Sequence, residues 1–276
     1  MEIGQVAGHG TASSLELHIM KIEEPGMQEE MIGLIPAAGK GVRLGLPYPK
    51  ELYPVIRDNH YKPIAQFVLD NLTKAGLRHV VFVVNETKHQ LIGFFGNGQR
   101  FGCHISYVVQ EQNSGQGQST SPGLAHALDS GYHLIHSKTV CFGMADTVMQ
   151  PEEVFARGLA AATPEDDVIL VLFTTQRPEK FGMVRLDQAQ RVVEIVDKPR
   201  KTDLTEMWGC IIWRPRFTEY LHACVAQQGI SDFAQIMNNA IADGLRFRGV
   251  HMVGGTYIDL GTYEEIIELD RRLRQE

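Results

Sequence analysis

From Met31 onward, apolar residues fall along this chain in two alternating rhythms. Continuous runs of β-branched and aromatic residues at 31–35, 80–84, 105–109, 140–144 and 168–173 predict strands. Val80-Val81-Phe82-Val83-Val84 is the clearest, and its lack of polar positions suits a strand buried on both faces. Between these runs, apolar residues three and four apart predict helices over 64–75, 87–95, 123–134 and 154–162. Gly76 stops the first helix, and Gly96-Asn97-Gly98 stops the second. Strand and helix in alternation predict an α/β fold with a doubly wound, mostly parallel, Rossmann-like sheet. Around 183–196 the rhythm changes to two short strands about Asp187-Gln188-Ala189-Gln190, the mark of a hairpin and of a smaller lobe. A strand at 209–213, helices over 217–227 and 233–243, a strand at 247–253 and a helix from Tyr263 complete the pattern.

Residues 1–30 carry no such rhythm and read as a poorly ordered N-terminal extension, in which residues 15–20 are the one candidate edge strand or partner contact. They have no basic segment leading into an apolar core, so no secretory signal is expected. No run of 18 apolar residues occurs, so no membrane span is expected either. The 276 residues, 43% hydrophobic and 21% charged, suit one soluble domain over 31–276 with a small lobe. A net charge of −7 argues against nucleic acid or an anionic membrane as the main partner. Cys103, Cys141, Cys210 and Cys224 form no CxxC and no metal spacing. Cys141 and Cys210 sit in apolar runs as buried thiols, and a reducing cytoplasm is the expected compartment.

The chemistry concentrates after the first strand, in Pro36-Ala37-Ala38-Gly39-Lys40-Gly41-Val42-Arg43, with Pro49-Lys50 following. Ala37, Ala38, Gly39 and Gly41 are too small to keep a ligand from the backbone, so their N–H groups can cradle phosphate while Arg43 and Lys50 add charge. The turn is not a dinucleotide fingerprint. Leu44 stands at the third glycine, and no acidic residue ends a second strand about 20 residues on. Nor does it end in the Gly-Lys-Ser/Thr of a P-loop.

This turn resembles the signature of the sugar-1-phosphate nucleotidyltransferases, the pyrophosphorylases that make nucleotide sugars. Further segments similar to that family's follow in its order, over residues 31–276. They are Gln118 before Pro122-Gly123-Leu124-Ala125; Asp146 closing an apolar run; Phe181-Gly182-Met183-Val184; Glu194-Ile195-Val196-Asp197-Lys198-Pro199; and Tyr257-Ile258-Asp259-Leu260-Gly261-Thr262. The resemblance implies that an NTP and a phosphorylated small-molecule acceptor, most closely a hexose 1-phosphate with UTP or dTTP, exchange a nucleoside monophosphate and release pyrophosphate. It implies Mg²⁺ held by Asp146 and Asp259, and leaves room for a homo-oligomer. Arg43 is assigned to the pyrophosphate portion, Lys50 to phosphate near the reacting centre, and Lys198 to the acceptor's phosphate. Gln118, with Gly123 in the same segment, is assigned to the nucleobase. Gly182, Asp197, Trp208 and Gly209 are assigned to the acceptor.

Each residue also has a plainer reading. Asp146 stands just before Thr147, where it would serve as a helix N-cap, and Asp259 near Gly261 would serve as a turn aspartate. Lys50 has Glu51 beside it for an exposed salt bridge. Trp208 either packs within a strand or lines the acceptor pocket, at a place where the family generally has a small residue. Val42 replaces a common hydroxyl residue, and the short interval from Arg43 to Lys50 resembles acetylglucosamine-phosphate uridylyltransferases and the cytidylyltransferases for non-sugar phosphates, the alternative activity. A non-catalytic nucleotide-sugar sensor would be expected to lack one of Arg43, Lys50, Asp146, Lys198 or Asp259, and all are present. A glycosyltransferase would carry Asp-x-Asp, whereas Thr147-Val148 follows Asp146.

Overall fold

The computed structural model describes residues 30–41, 44–57, 60–111 and 123–273. The expectations for residues 1–29, for Val42 and Arg43, and for Gln118 and Pro122 lie outside them.

The strands are β1 Met31–Pro36, β2 Pro54–Arg57, β3 His60–Pro63, β4 His79–Val84, β5 His104–Val109, β6 Thr139–Gly143, β7 Thr147–Gln150, β8 Val168–Thr174, β9 Gly182–Leu186, β10 Val192–Asp197, β11 Glu206–Trp213, β12 Phe247–His251 and β13 Thr256–Asp259. The helices are α1 Ile64–Lys74, α2 His89–Phe95, α3 Leu124–Asp129, α4 Tyr132–Ile135, α5 Val154–Ala161, α6 Pro215–His222, α7 Phe233–Ala242 and α8 Tyr263–Leu273. Nine strands form one sheet, in which β5, β4, β1 and β6 run parallel side by side. Beyond β6 lies β11, antiparallel, then β8 and β12; the β9–β10 hairpin pairs with the start of β11. The expected doubly wound α/β sheet is therefore present, and the smaller lobe is a continuation of that sheet.

Strands β1, β4 and β8 alternate between two cores. Ile32 and Leu34 of β1, Val81 and Val83 of β4, and Leu170 and Leu172 of β8 face α3, α6 and α7. Ile35, Val80, Phe82, Val84, Ile169 and Val171 face α1, α2 and α5. With both faces covered, polar side chains are left to the strand ends. The chain leaves β1 toward β4 and β5 and returns on the other side as β6, so the strand order reverses between β1 and β6. In open α/β sheets that reversal opens a crevice at the carboxyl ends of the strands.

Three local departures matter. The 123–134 helix is broken into α3 and α4 at Ser130-Gly131, where the Ser130 hydroxyl bonds back to the His126 carbonyl (2.8 Å). Thr147 opens a strand, so the helix N-cap reading of Asp146 fails: β7 pairs antiparallel with β13 and sets Asp259 opposite Thr147. Finally, β11 carries a bulge at Gly209, between Trp208 paired with Leu172 and Cys210 paired with Val171. One extra residue reverses the in–out parity of everything before it.

One side chain of α7 fastens the outer edge of the lobe. Asn238 of α7 accepts from Ile195 N (2.9 Å) and donates to Ile195 O (2.8 Å), closing the free edge of β10. Asn238→Ala should lower the unfolding free energy by about 1–3 kcal/mol, the cost of leaving partly buried backbone groups unpaired. Urea denaturation reads this directly, and an unchanged midpoint would contradict it.

Candidate active site

Two clefts meet at the carboxyl ends of β1 and β6. One, about 470 Å³, is lined by Lys40, Gly41, Tyr48, Lys50, Thr87 and Lys88. The other, about 430 Å³, is walled by Asp146, Gly182, Asp197, Lys198, Trp208 and Asp259, with Lys180, Phe233, Met237 and Tyr257 among its further walls. Lys50 belongs to the first cleft, yet its ammonium donates to Asp146 Oδ2 in the second. This ion pair is where the two clefts join.

The turn after β1 is shaped by Asn85, buried beyond the end of β4. Its Nδ2 donates to Ala38 O (2.7 Å), and its Oδ1 accepts from Thr87 N (2.9 Å) and Thr87 Oγ1 (2.7 Å). Ala37 N–H is already given to Val83 O (2.7 Å), so it continues the sheet and is not open to a ligand. Ala38 is buried beside it, and Gly39 and Gly41 carry the turn outward. Gly41 has φ +63°, a left-handed backbone that suits glycine, and lies alongside the Lys50 stem.

Lys50 opens a single 3₁₀ turn, Lys50–Leu52. Burial opposes the charge on Lys50, but the Asp146 carboxylate, with Glu51 and Asp259 adding to it, outweighs burial and raises its pKa above 10.5. The sign follows: the stability that the raised Lys50 pKa contributes is present below about pH 10.5 while Asp146 stays ionised, and is lost as pH rises through the higher folded value. Lys50 is thus a cation throughout the working range. The exposed Lys50–Glu51 bridge is corrected by the structure. Glu51 turns inward and accepts from Lys88 Nζ at 2.6 Å, with side chains 2% and 3% exposed.

Asp146 and Asp259 are held together through the backbone. The β7–β13 ribbon aligns Asp259 with Thr147, and Leu260 N donates to Asp146 O at 2.9 Å. Both carboxylates line the second cleft, and the charge of Asp259 reaches Lys50. Among the described residues no group of three His, Cys, Asp or Glu side chains could hold a metal. Two carboxylates nevertheless fit a hard cation that takes its remaining oxygens from water and substrate.

The acceptor-side residues fall on the second cleft with one exception. Gly182 pairs with Asp197 across β9–β10, and Lys198 follows with φ +47°, its ammonium 2.9 Å from Asp197 Oδ2. Trp208 lies directly over Gly182, where a Cβ would overlap the indole. The bulge turns Trp208 to the α7 face, against Phe142 (6.1 Å between ring centroids) and Phe233 (6.2 Å). Packing and pocket wall are therefore one arrangement. Gly209 is not part of the cleft wall; it is buried, and a Cβ there would meet the rings of Phe173 and Tyr257. Gly123 precedes α3 with no room for a Cβ against Ser231 O (2.9 Å), and its neighbour Leu124 lines the cleft.

Sequence reasoning missed Asn85, the Glu51–Lys88 pair, Lys180 and the α7 wall. The only available signal was Asp232 before Phe233, which does cap α7 by accepting from Ala234 N (2.9 Å) and Gln235 N (3.2 Å).

Residues 32–276 match the family described as nucleotidyl transferase. The chain belongs to this family. Curated relatives include glucose-1-phosphate thymidylyltransferases of Neisseria meningitidis, 27% identical over 86% of this chain and 81% of that one, and of Streptomyces griseus, 27% identical over 87% and 65%. Solved structures of similar fold include an apo UDP-glucose pyrophosphorylase (TM-score 0.72, 21% identity, 89% of this chain and 98% of that one). A UTP-bound UGPase from Acinetobacter baumannii follows with TM-score 0.69 and 15% identity, over 88% and 93%. Membership bears out both the resemblance and the reading of the chain as an enzyme. Among the described residues, no helix is long and apolar enough to cross a membrane.

The Glu51–Lys88 pair offers a stability test of the nucleotidyl transferase site's foundation. Lys88→Met should cost about 3–5 kcal/mol by leaving Glu51 buried and unpaired, and Glu51→Leu with Lys88→Met should recover most of it. Chemical denaturation of these two variants and of Glu51→Leu alone closes the cycle; additive losses would contradict the pairing.

Proposed function

We propose that this chain transfers a nucleoside monophosphate from an NTP to a sugar 1-phosphate and releases pyrophosphate, with Mg²⁺ as cofactor and UTP or dTTP as donor. The observation that carries the proposal is the Lys50–Asp146 pair at the junction of two clefts, with Asp259 registered alongside. The similarity to glucose-1-phosphate thymidylyltransferases supports a sugar 1-phosphate acceptor and a pyrimidine donor. A cytoplasmic setting is supported by four cysteines that are all free and buried.

On this reading the NTP phosphates lie along Gly39, Gly41 and Lys50, and the acceptor lies against Gly182, Trp208 and Lys198. An ionised acceptor phosphate oxygen attacks the α-phosphorus in line, a new P–O bond forms, and the bond to pyrophosphate breaks. No protein nucleophile or base is needed; the chain aligns two polyanions and cancels their repulsion. Lys50 supplies a fixed cation at the junction. Asp146 and Asp259 would hold Mg²⁺, which when bound neutralises phosphate charge. Arg43 and Gln118 complete the assignment on resemblance alone, to the pyrophosphate portion and the base.

The deciding experiment screens pyrophosphate release for UTP, dTTP, CTP, ATP and GTP against a panel of sugar 1-phosphates and non-sugar phosphates. Turnover with a sugar 1-phosphate and a pyrimidine NTP is expected, and it should vanish in excess EDTA. Turnover only with a non-sugar phosphate and CTP would favour the cytidylyltransferase reading. Asp146→Asn should reduce kcat by roughly 100-fold or more while leaving the fold intact; full activity would refute its role. Trp208→Ala should re-rank the acceptors with the NTP KM nearly unchanged. A lower Tm with the same acceptor ranking would reduce Trp208 to packing.

A further inference from the structure

The second cleft has an imbalance of charge for a site that receives a phosphate. Its walls carry Asp146, Asp197, Asp232 and Asp259 against Lys180 and Lys198. Lys198 is 60% exposed and already beside Asp197, so water screens much of what it offers an anion. Lys180 is the more sheltered cation, 25% exposed, at the end of the single turn Pro178–Lys180 that leads through Phe181 into β9. Its ammonium pairs with Glu265 Oε1 on the first turn of α8.

Glu265 is tethered at both oxygens. Its Oε2 accepts from Gly261 N at 2.9 Å, and Arg177 Nη1 stands 3.9 Å from Oε1. Burial pushes the Glu265 carboxyl up, but the bonds from Lys180 and Gly261 outweigh it and hold it below the usual range. The carboxylate is therefore a fixed, charged anchor. A lysine ammonium has three N–H donors, and one bond to Glu265 leaves two for a ligand. The anchor is itself fastened to the catalytic edge, because Gly261 lies two residues beyond Asp259.

We propose that Lys180 is a second acceptor-binding cation, with Glu265 as the positioning residue that holds it at the cleft; this rests on the acceptor being a phosphate ester, as argued above. Lys180 and Lys198 then meet the acceptor phosphate from the two segments that flank the β9–β10 pair. The acceptor phosphate and the loop before α8 are read by one linked set of bonds.

The test compares wild type with Lys180→Ala, Lys180→Arg and Glu265→Gln in two assays. One is pyrophosphate release at saturating NTP against the sugar 1-phosphate that wild type accepts. The other is calorimetric titration with glucose 1-phosphate. Lys180→Ala should raise the acceptor KM at least about tenfold with the NTP KM within about twofold, by the loss of one charge-assisted phosphate contact. Lys180→Arg should stay within about threefold of wild type. Glu265→Gln should raise the acceptor KM about threefold or more while kcat at saturating acceptor is retained, a split that general loosening of the fold would not give. An acceptor KM within twofold of wild type in Lys180→Ala, whatever its Tm, overturns the inference and leaves the proposed function standing. If wild type turns over no phosphate acceptor yet binds glucose 1-phosphate, and Lys180→Ala binds it tenfold more weakly, the proposed function fails and the inference survives. Wild type that neither turns over nor binds overturns both.

Discussion

The charges of the crevice are arranged around a constraint on the central strands. β1, β4, β6 and β8 are buried on both faces, so no charged side chain can leave them sideways without losing its hydration. Chemistry is confined to the strand ends, and the reversal of strand order between β1 and β6 makes one of those ends a crevice. The charges gathered there are then forced to answer one another. Lys50 meets Asp146 at the rim, and Glu51 meets Lys88 beneath it. The first cleft is lined by Lys40, Lys50 and Lys88 and the charges of the second are mostly aspartates, so the ion pair at their junction joins a basic side to an acidic one.

Much of this was legible in the amino-acid order. Runs such as Val80 to Val84 are too apolar to be anything but doubly covered strands. Once they are placed, Asp146 and Asp259 fall at strand ends by count alone. Part of what escaped notice depends on partners distant in sequence, and part lies in elements too short to carry a rhythm. Glu51 looks like a neighbour for Lys50 until the fold brings up Lys88. Asn85 shows no local sign that it will hold the Ala38 carbonyl. The four-residue strand β7 is too short for periodicity to separate it from a helix start, so Asp146 looked equally like a cap. The β2–β3 hairpin was missed for the same reason of length, and Ala37 looked like a ligand contact because only the sheet reveals where its N–H goes.

Trp208 shows how a single backbone irregularity decides a side chain's role. Alternation counted back from Trp213 puts residue 208 on the face of α1 and α5, among Met207's neighbours. The extra residue at Gly209 turns it instead toward Phe142 and Phe233. Strand composition cannot predict this, since a glycine in a strand marks either a bulge or a close approach. Here it is both, because the rings of Phe173 and Tyr257 fill the space a side chain would need.

The β7–β13 ribbon has a further consequence, one of timing. Its two strands come from distant parts of the chain, and β13 pairs with β7 alone, outside the nine-stranded sheet. A ribosome therefore delivers Asp146 well before the residue that will stand beside it. Every strand of the nine-stranded sheet precedes β13 in the chain, so all of it is synthesised before Asp259. Only when β13 emerges and α8 closes over Leu44 and Val148 does the acidic pair exist. The placing of Asp259 beside Asp146 thus hangs on a four-residue strand that joins no other strand of the fold and that the chain reaches last.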